Sequence, residues 1–192
     1  MAIQWKIDPA HSEIQFKVKH LMITTVTGYF KKFDLTVETE TEDFNTAKRI
    51  EFTADIDSID TNNQQRDAHL KSADFFDGEN HREVKFVGKK FESNGDEAIL
   101  DGDLTIRGVT KPVTLKVELG GTVVDPYGQH KAGFTLSGKI SRKIFGLTWS
   151  AVTEAGHVVV GDEIKIHAEV QLVRQAETAP EAAGTKVAAE TR

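Results

Sequence analysis

Asp8, His11 and Ser12 fall together in DPAHS (8–12) and have the residue types of a nucleophilic constellation. A reactive Ser12 would need the His11 imidazole on its hydroxyl and Asp8 behind the imidazole. Neighbours on an extended chain project to opposite faces, which sets His11 and Ser12 apart. The segment therefore reads as a turn whose Asp and Ser side chains bond nearby backbone and aim the next strand. Seven histidines (His11, His20, His69, His81, His130, His157 and His167) invite a metal site, but none forms a His-x-x-x-His pair on one element. No metal ligand set is assigned. His20 shares a face with Phe16 and Val18, and its ring reads as bonded to a backbone carbonyl in preference to a ligand headgroup.

Two polar stretches remain. RDAHLKSADFFD (66–77) reads as a helix bolted across a barrel end in preference to a portal, with Arg66, Asp67, His69 and Asp74 in a salt-bridged cap and Phe75 and Phe76 as the plug. RGVTKP (107–112) groups Arg107 and Lys111 at a turn that opens a strand, whereas a phosphate cradle opens a helix. Those charges read as solvated. No catalytic residue is assigned.

The positioning elements are strands. From Gly102 to Ile140, three runs alternate apolar and polar residues: Leu104 and Ile106, then Val113 to Leu119 after the turn GVTKP, then Ala132 to Ile140 after DPYG. Alternation sets one face against an apolar interior and the other in water. The same rhythm runs through Ser12–His20, Phe33–Glu38, Ile50–Ile56, Val84 onward, Ala98–Arg107 and Asp162–Val173. LMITTVTG (21–28) breaks it and reads as a turn. NNQQRDAHLKS (62–72) loses the alternation and begins with asparagines able to cap a short helix. SNGD (93–96) reads as a hairpin turn.

Eight long alternating strands with one apolar face must curl, split or close. The expected fold is all-β with one short helix, and closure of these strands would give an eight-stranded antiparallel barrel. The lining is assigned strand by strand: Ile14, Phe16 and Val18; Phe33 and Leu35; Phe52 and Ala54; Phe86; Leu104. It continues with Leu115 and Val117; Ala132, Phe134, Leu136 and Gly138; Ile166 and Ala168. The alternating face alone is equally compatible with an ordinary packed core, and small residues such as Ala132 and Gly138 tilt it toward unfilled volume and a ligand cavity.

Composition narrows the partners. The chain has 192 residues and a formal net charge of −6, so it offers no basic face to nucleic acid. It has no cysteine, which excludes disulfides and thiolate chemistry. No apolar run approaches the roughly 20 residues of a membrane-spanning helix. MAIQWKIDPAHS lacks a secretory pattern, so the expected location is cytoplasmic, or periplasmic if a signal has been cleaved ahead of it. One domain over 1–174 and a disordered tail over 175–192 are expected.

Five pieces in order carry a resemblance: WKIDPAHSEIQFKVKH (5–20), GYF (28–30), SIDTNNQQRDAHLKSADFFD (58–77), GDLTIRGVTKPV (102–113) and GFTLSGKISRKIFG (133–146). With VGDEIKIHAEVQL (160–172) as closing strand, the chain resembles the YceI-like family of lipocalin-like polyisoprenoid-binding proteins. Two departures stand out: no secretory signal, and NHREVKF (80–86) in place of a proline-containing approach. The resemblance implies a barrel holding a long apolar chain of the isoprenoid quinone, polyprenyl-phosphate or fatty-amide kind. It further implies a possible homodimer, no cofactor and no catalytic activity. The expected function is non-catalytic binding, sequestration or transport of a long-chain amphipathic lipid. Two alternatives stand beside it: an enzyme using Asp8, His11 or His69 on a bound lipid or small acid, and a dry barrel acting as a stress-related interaction module.

Overall fold

Asp8 shows why the first long strand is broken in two. Its carboxylate accepts from Ala10 N at 3.0 Å and caps a single 3-10 turn over Pro9–His11. Asp8 Oδ2 also accepts from Gln171 Nε2 at 3.0 Å, and Ser12 Oγ accepts from Gln171 N at 3.0 Å. The side chains of this corner thus satisfy the neighbouring strand where the backbone ladder lapses.

The computed structural model describes residues 1–177. Its strand segments are β1 (Ile3–Ile7), β2 (Glu13–His20), β3 (Thr24–Phe30), β4 (Phe33–Thr39), β5 (Ala47–Asp55), β6 (Ile59–Asp60) and β7 (Glu83–Asn94). Then come β8 (Glu97–Ile106), β9 (Val109–Val124), β10 (His130–Ser141) and β11 (Val160–Arg174); one helix, α1, spans Gln64–Lys71. β11 pairs with β2 through Ile166↔Phe16 and further along with β1 through Leu172↔Ile7. β2 pairs with β3 while β1 pairs with β4, and β3 and β4 are met by β6 and β5. β1–β2, β3–β4 and β5–β6 are therefore three interrupted staves. With β7 to β11 they close an eight-stranded antiparallel barrel in which each stave pairs with the next in sequence and the last, β11, pairs with the first.

Several local expectations are corrected. Residues 21–28 do not form a turn throughout: Leu21 and Met22 make it alone, with φ of 50° and 59°, and β3 resumes at Thr24. Gly28 lies in mid-strand opposite Phe16. The turn before β9 is only Arg107–Gly108, both at positive φ, and Thr110, Lys111 and Pro112 pair with β8. Arg107 is not a solvated charge, because its Nη1 donates to Ala73 O at 2.6 Å and Phe75 O at 2.7 Å. Gln175 N still donates to Gln4 O at 2.8 Å, one residue past the expected end of the barrel. The rest of the expected tail, from 178 on, lies outside the described residues.

Other expectations hold. The Asn63 side chain accepts from Arg66 N at 3.0 Å and caps α1. Gly95 takes φ of 68° in the β7–β8 hairpin, as an Asn-Gly turn requires.

The interior divides in two. At one end Trp5, Phe44 and Phe134 stack with centroids 5.0 and 4.9 Å apart, and Trp5 Nε1 donates to Thr39 Oγ1 at 3.1 Å. Val117, Ala98, Ala132 and Leu172 are buried with them, so this end is solid. The other end lies beneath α1 and its following loop.

Candidate ligand cavity

Between these two ends lies a cavity of about 210 Å³. Ile14, Phe16 and Val18 of β2 form one wall, with Leu35 of β4, Phe52 of β5 and Phe86 of β7. Leu104, Leu115 and Leu136 continue the wall through β8, β9 and β10. Ile164, Ile166, Ala168 and Val170 line it in unbroken alternation along β11, roughly 20 Å of strand at about 3.3 Å per residue. The space is an elongated slot. Among the described residues, its polar lining residues are Gln15 and Arg142 alone.

Six residues expected in the lining lie elsewhere. Val117, Ala132 and Phe134 belong to the solid end, where Phe134 packs edge-on against Phe44. Ala54 is buried beside its register partner Val84, whose longer side chain does reach the cavity. Phe33 borders an outer groove between α1 and β5. Gly138 does not leave open volume, since a Cβ there would stand 2.6 Å from Leu115 Cδ2. Alternation assigns a face correctly, but it does not say how far along the barrel axis the face is filled.

The hollow has its own source. Gly28 carries no side chain, and the tip of the Phe16 ring takes its place; a Cβ at Gly28 would overlap Phe16 Cζ. The ring of Phe86 lies over Gly102 in the same way. Two aromatic rings that could cross the lumen are thereby laid against the wall. A glycine at an inward position near a phenylalanine on the next strand was the signal that alternation alone passed over.

The lid is built by the loop after α1. Leu70, Phe75 and Phe76 face the cavity, and Arg107 holds the loop through the Ala73 and Phe75 carbonyls. The His69 ring packs edge-on against Phe75 at 5.0 Å and Trp149 at 4.8 Å, with Nε2 2.8 Å from Asp74 Oδ2. Arg66 and Asp67 do not join that pair as expected. Both bind Thr61: Arg66 Nε and Thr61 N–H meet Thr61 Oγ1 and Asp67 Oδ1 at 2.8 and 2.9 Å. The group His69–Asp74 is half-exposed and belongs to the outside of the lid.

Arg142 was not anticipated. It is 3 % exposed, and its guanidinium donates to Gly161 O, Leu147 O, Trp149 O and Val160 O at 2.8, 2.6, 2.8 and 3.2 Å. Burial holds its pKa below the usual guanidinium value. Its fork gathers the irregular connection between β10 and β11 against the barrel mouth.

The titratable residues weighed for chemistry do not converge. His11 Nδ1 meets Asp8 Oδ2 at 2.8 Å on the outer corner between β1 and β2, and Ser12 is engaged with Gln171 N. Hydrogen bonding to His11, with that to Ala10 N and the nearby imidazole, holds Asp8 below its ordinary pKa against the opposing effect of burial. His20 is exposed at the barrel rim and makes no side-chain hydrogen bond among the described residues, so the expected carbonyl contact is not made.

Fold and cavity together define a lipocalin-like closed β-barrel with an apolar interior. The YceI-like domain model matches residues 5–172, and the chain belongs to that family. It is 39 % identical over 171 residues to a UPF0312 protein of Staphylococcus epidermidis, covering 88 % of this chain and 96 % of the relative. The crystal structure of the Campylobacter jejuni YCEI protein superposes with a TM-score of 0.71 at 33 % identity, covering 83 % of this chain and 90 % of that one. A polyisoprenoid binding domain from Saccharophagus degradans, implicated in plant cell wall breakdown, shares the fold with a TM-score of 0.62 at 13 % identity, covering 89 % and 98 %.

Proposed function

We propose that the barrel binds one long-chain amphipathic lipid of the polyisoprenoid, isoprenoid quinone or fatty-amide class, and sequesters or carries it without chemistry. The observation that carries this reading is the cavity. An empty apolar void forgoes about 24 cal/mol per Å³, so leaving about 210 Å³ unfilled costs about 5 kcal/mol. That is a large share of the stability of a domain this size, and a hydrocarbon occupant restores it. Water does not, since the walls offer it no set of polar partners. Each buried methylene contributes roughly 0.8 kcal/mol, which favours chain length over headgroup identity. The slot shape along β11 suits a chain better than a compact ring system. The binding named for the Saccharophagus degradans domain supports the isoprenoid class.

Protein purified without detergent and extracted under denaturing conditions should yield a long-chain isoprenoid or fatty compound near one per barrel by mass spectrometry. Ala168→Leu places added volume within the lining and lowers that yield. Recovery of no lipid, together with failure to take up an added polyprenyl quinone, rejects the carrier. A turnover abolished by His11→Ala would instead establish an enzyme working at the outer corner.

A further inference from the structure

Five large apolar side chains stand in solvent around the lidded end of the barrel. Met22 and Ile23 are 60 % and 76 % exposed at the β2–β3 turn; Ile144, Val152 and Val158 are 51 %, 62 % and 40 % exposed on the β10–β11 connection. Hydrogen bonds gather them into one rim. Leu21 N donates to Val159 O at 2.9 Å, Val159 N donates to Ala151 O at 3.0 Å, and Val152 pairs with Val158 across an isolated bridge. Arg142 N donates to Asp162 O at 3.0 Å and seats the turn bearing Ile144 at the same edge. Met22 sits at φ of 59°, a left-handed turn position where bulky side chains are disfavoured and Asn-Gly is usual.

We infer that this rim docks on the surface of a phospholipid bilayer, the source or destination of the cavity's lipid. The inference rests on the carrier reading for its purpose and on three observations for its partner. First, among the described residues Trp5, Phe44 and Phe134 fill the opposite end, which leaves the lidded end that this rim surrounds for a chain to enter or leave. Val160, Leu147 and Arg142 line the cavity and are continuous in sequence with the rim loops. Second, the rim loops themselves are nearly free of acid: segments 19–24 and 143–159 carry Lys19 and Lys143 against Glu154, with His20 and His157 beside them, although the lid they flank carries Asp67, Asp74 and Asp77. Third, apolar tips on separate loops form a broken patch. A stable protein interface asks each partner to bury roughly 800 Å² of continuous surface, whereas a bilayer interface accepts protruding apolar tips flanked by polar groups.

Flotation of the full chain with phosphatidylcholine vesicles, with and without phosphatidylglycerol, tests this directly. Wild-type protein floats with the vesicles. Ile23→Asp and Val152→Asp lower its partition at least tenfold with unchanged melting temperature, because both sites are already solvated. Val124→Asp, on the exposed β9–β10 hairpin at the filled end, leaves partition unchanged. Transfer of a fluorescent polyprenyl lipid between vesicles should rise with acceptor vesicle concentration in wild type and slow in the two rim variants. Wild-type protein that stays in solution, or rim variants that float like wild type, overturns the docking. So does a dimer in sedimentation that the rim variants dissolve, which would assign the rim to a second copy of this chain. A chain that floats but holds no lipid refutes the carrier and leaves the docking standing. One that holds lipid but does not float refutes the docking alone.

Discussion

The ring of Phe16 occupies the space where Gly28, its register partner on β3, would carry a side chain. This relationship keeps the lumen open, since the ring lies along the wall. Gly28→Ala should force the ring inward, overpacking the cavity at a cost of about 1–3 kcal/mol. Chemical denaturation should show the loss, and extracted lipid per barrel should fall in parallel. A variant with full lipid occupancy would mean that Phe16 does not gate the volume.

Phe44 bridges Trp5 and Phe134 at the solid end. Phe44→Ala should destabilise the fold by about 3–5 kcal/mol, the usual range for a buried phenylalanine. The wall residues are untouched, so a barrel that still folds should retain its lipid. Denaturant midpoints and lipid extraction on the same sample check both halves.

The Arg142 guanidinium donates to four backbone carbonyls. Arg142→Lys keeps the charge but loses the planar fork, and should cost about 1–3 kcal/mol as carbonyls are left unpaired. Hydrogen exchange should locate the loosening in residues 147–161 before it reaches the β-ladder. Uniform exchange across the barrel would contradict a local staple.

Asp8 has its pKa depressed by hydrogen bonding to His11 and to Ala10 N. A depressed carboxylate stabilises the fold above its unfolded pKa of about 4 and loses that contribution as pH falls through the lower folded value. Wild type should therefore be more stable than Asp8→Asn at pH 7, with the gap closing below about pH 4. Urea midpoints for the two proteins at pH 7, 5 and 3 measure it. A gap that persists in acid would assign the difference to packing.

Much of the barrel was legible before any coordinate. The alternation of Ile14, Phe16 and Val18, or of Leu104 and Ile106, depends only on the two-residue period of a strand, and that period sets the inward face. Asn63 as helix cap and Gly95 as hairpin turn are equally local, because backbone sterics and short-range hydrogen bonds decide them. The resemblance of five ordered segments supplied the family. The number of strands with one apolar face left curling, splitting and closure open, and the resemblance pointed to closure.

What tertiary structure decided is which part of that inward face is solid and which hollow. Phe134 and Phe86 look alike in sequence: both are inward aromatic residues in alternating strands. Phe134 meets Phe44 from a loop far away in the chain, and the two fill the barrel. Phe86 meets Gly102 and folds against the wall. Gly138, small in sequence, is covered by Leu115, while Arg142, polar in sequence, is buried on four carbonyls. Period specifies direction from each strand independently. Cavity volume depends on what arrives from the neighbouring strands and loops, and that is a property of the closed barrel alone.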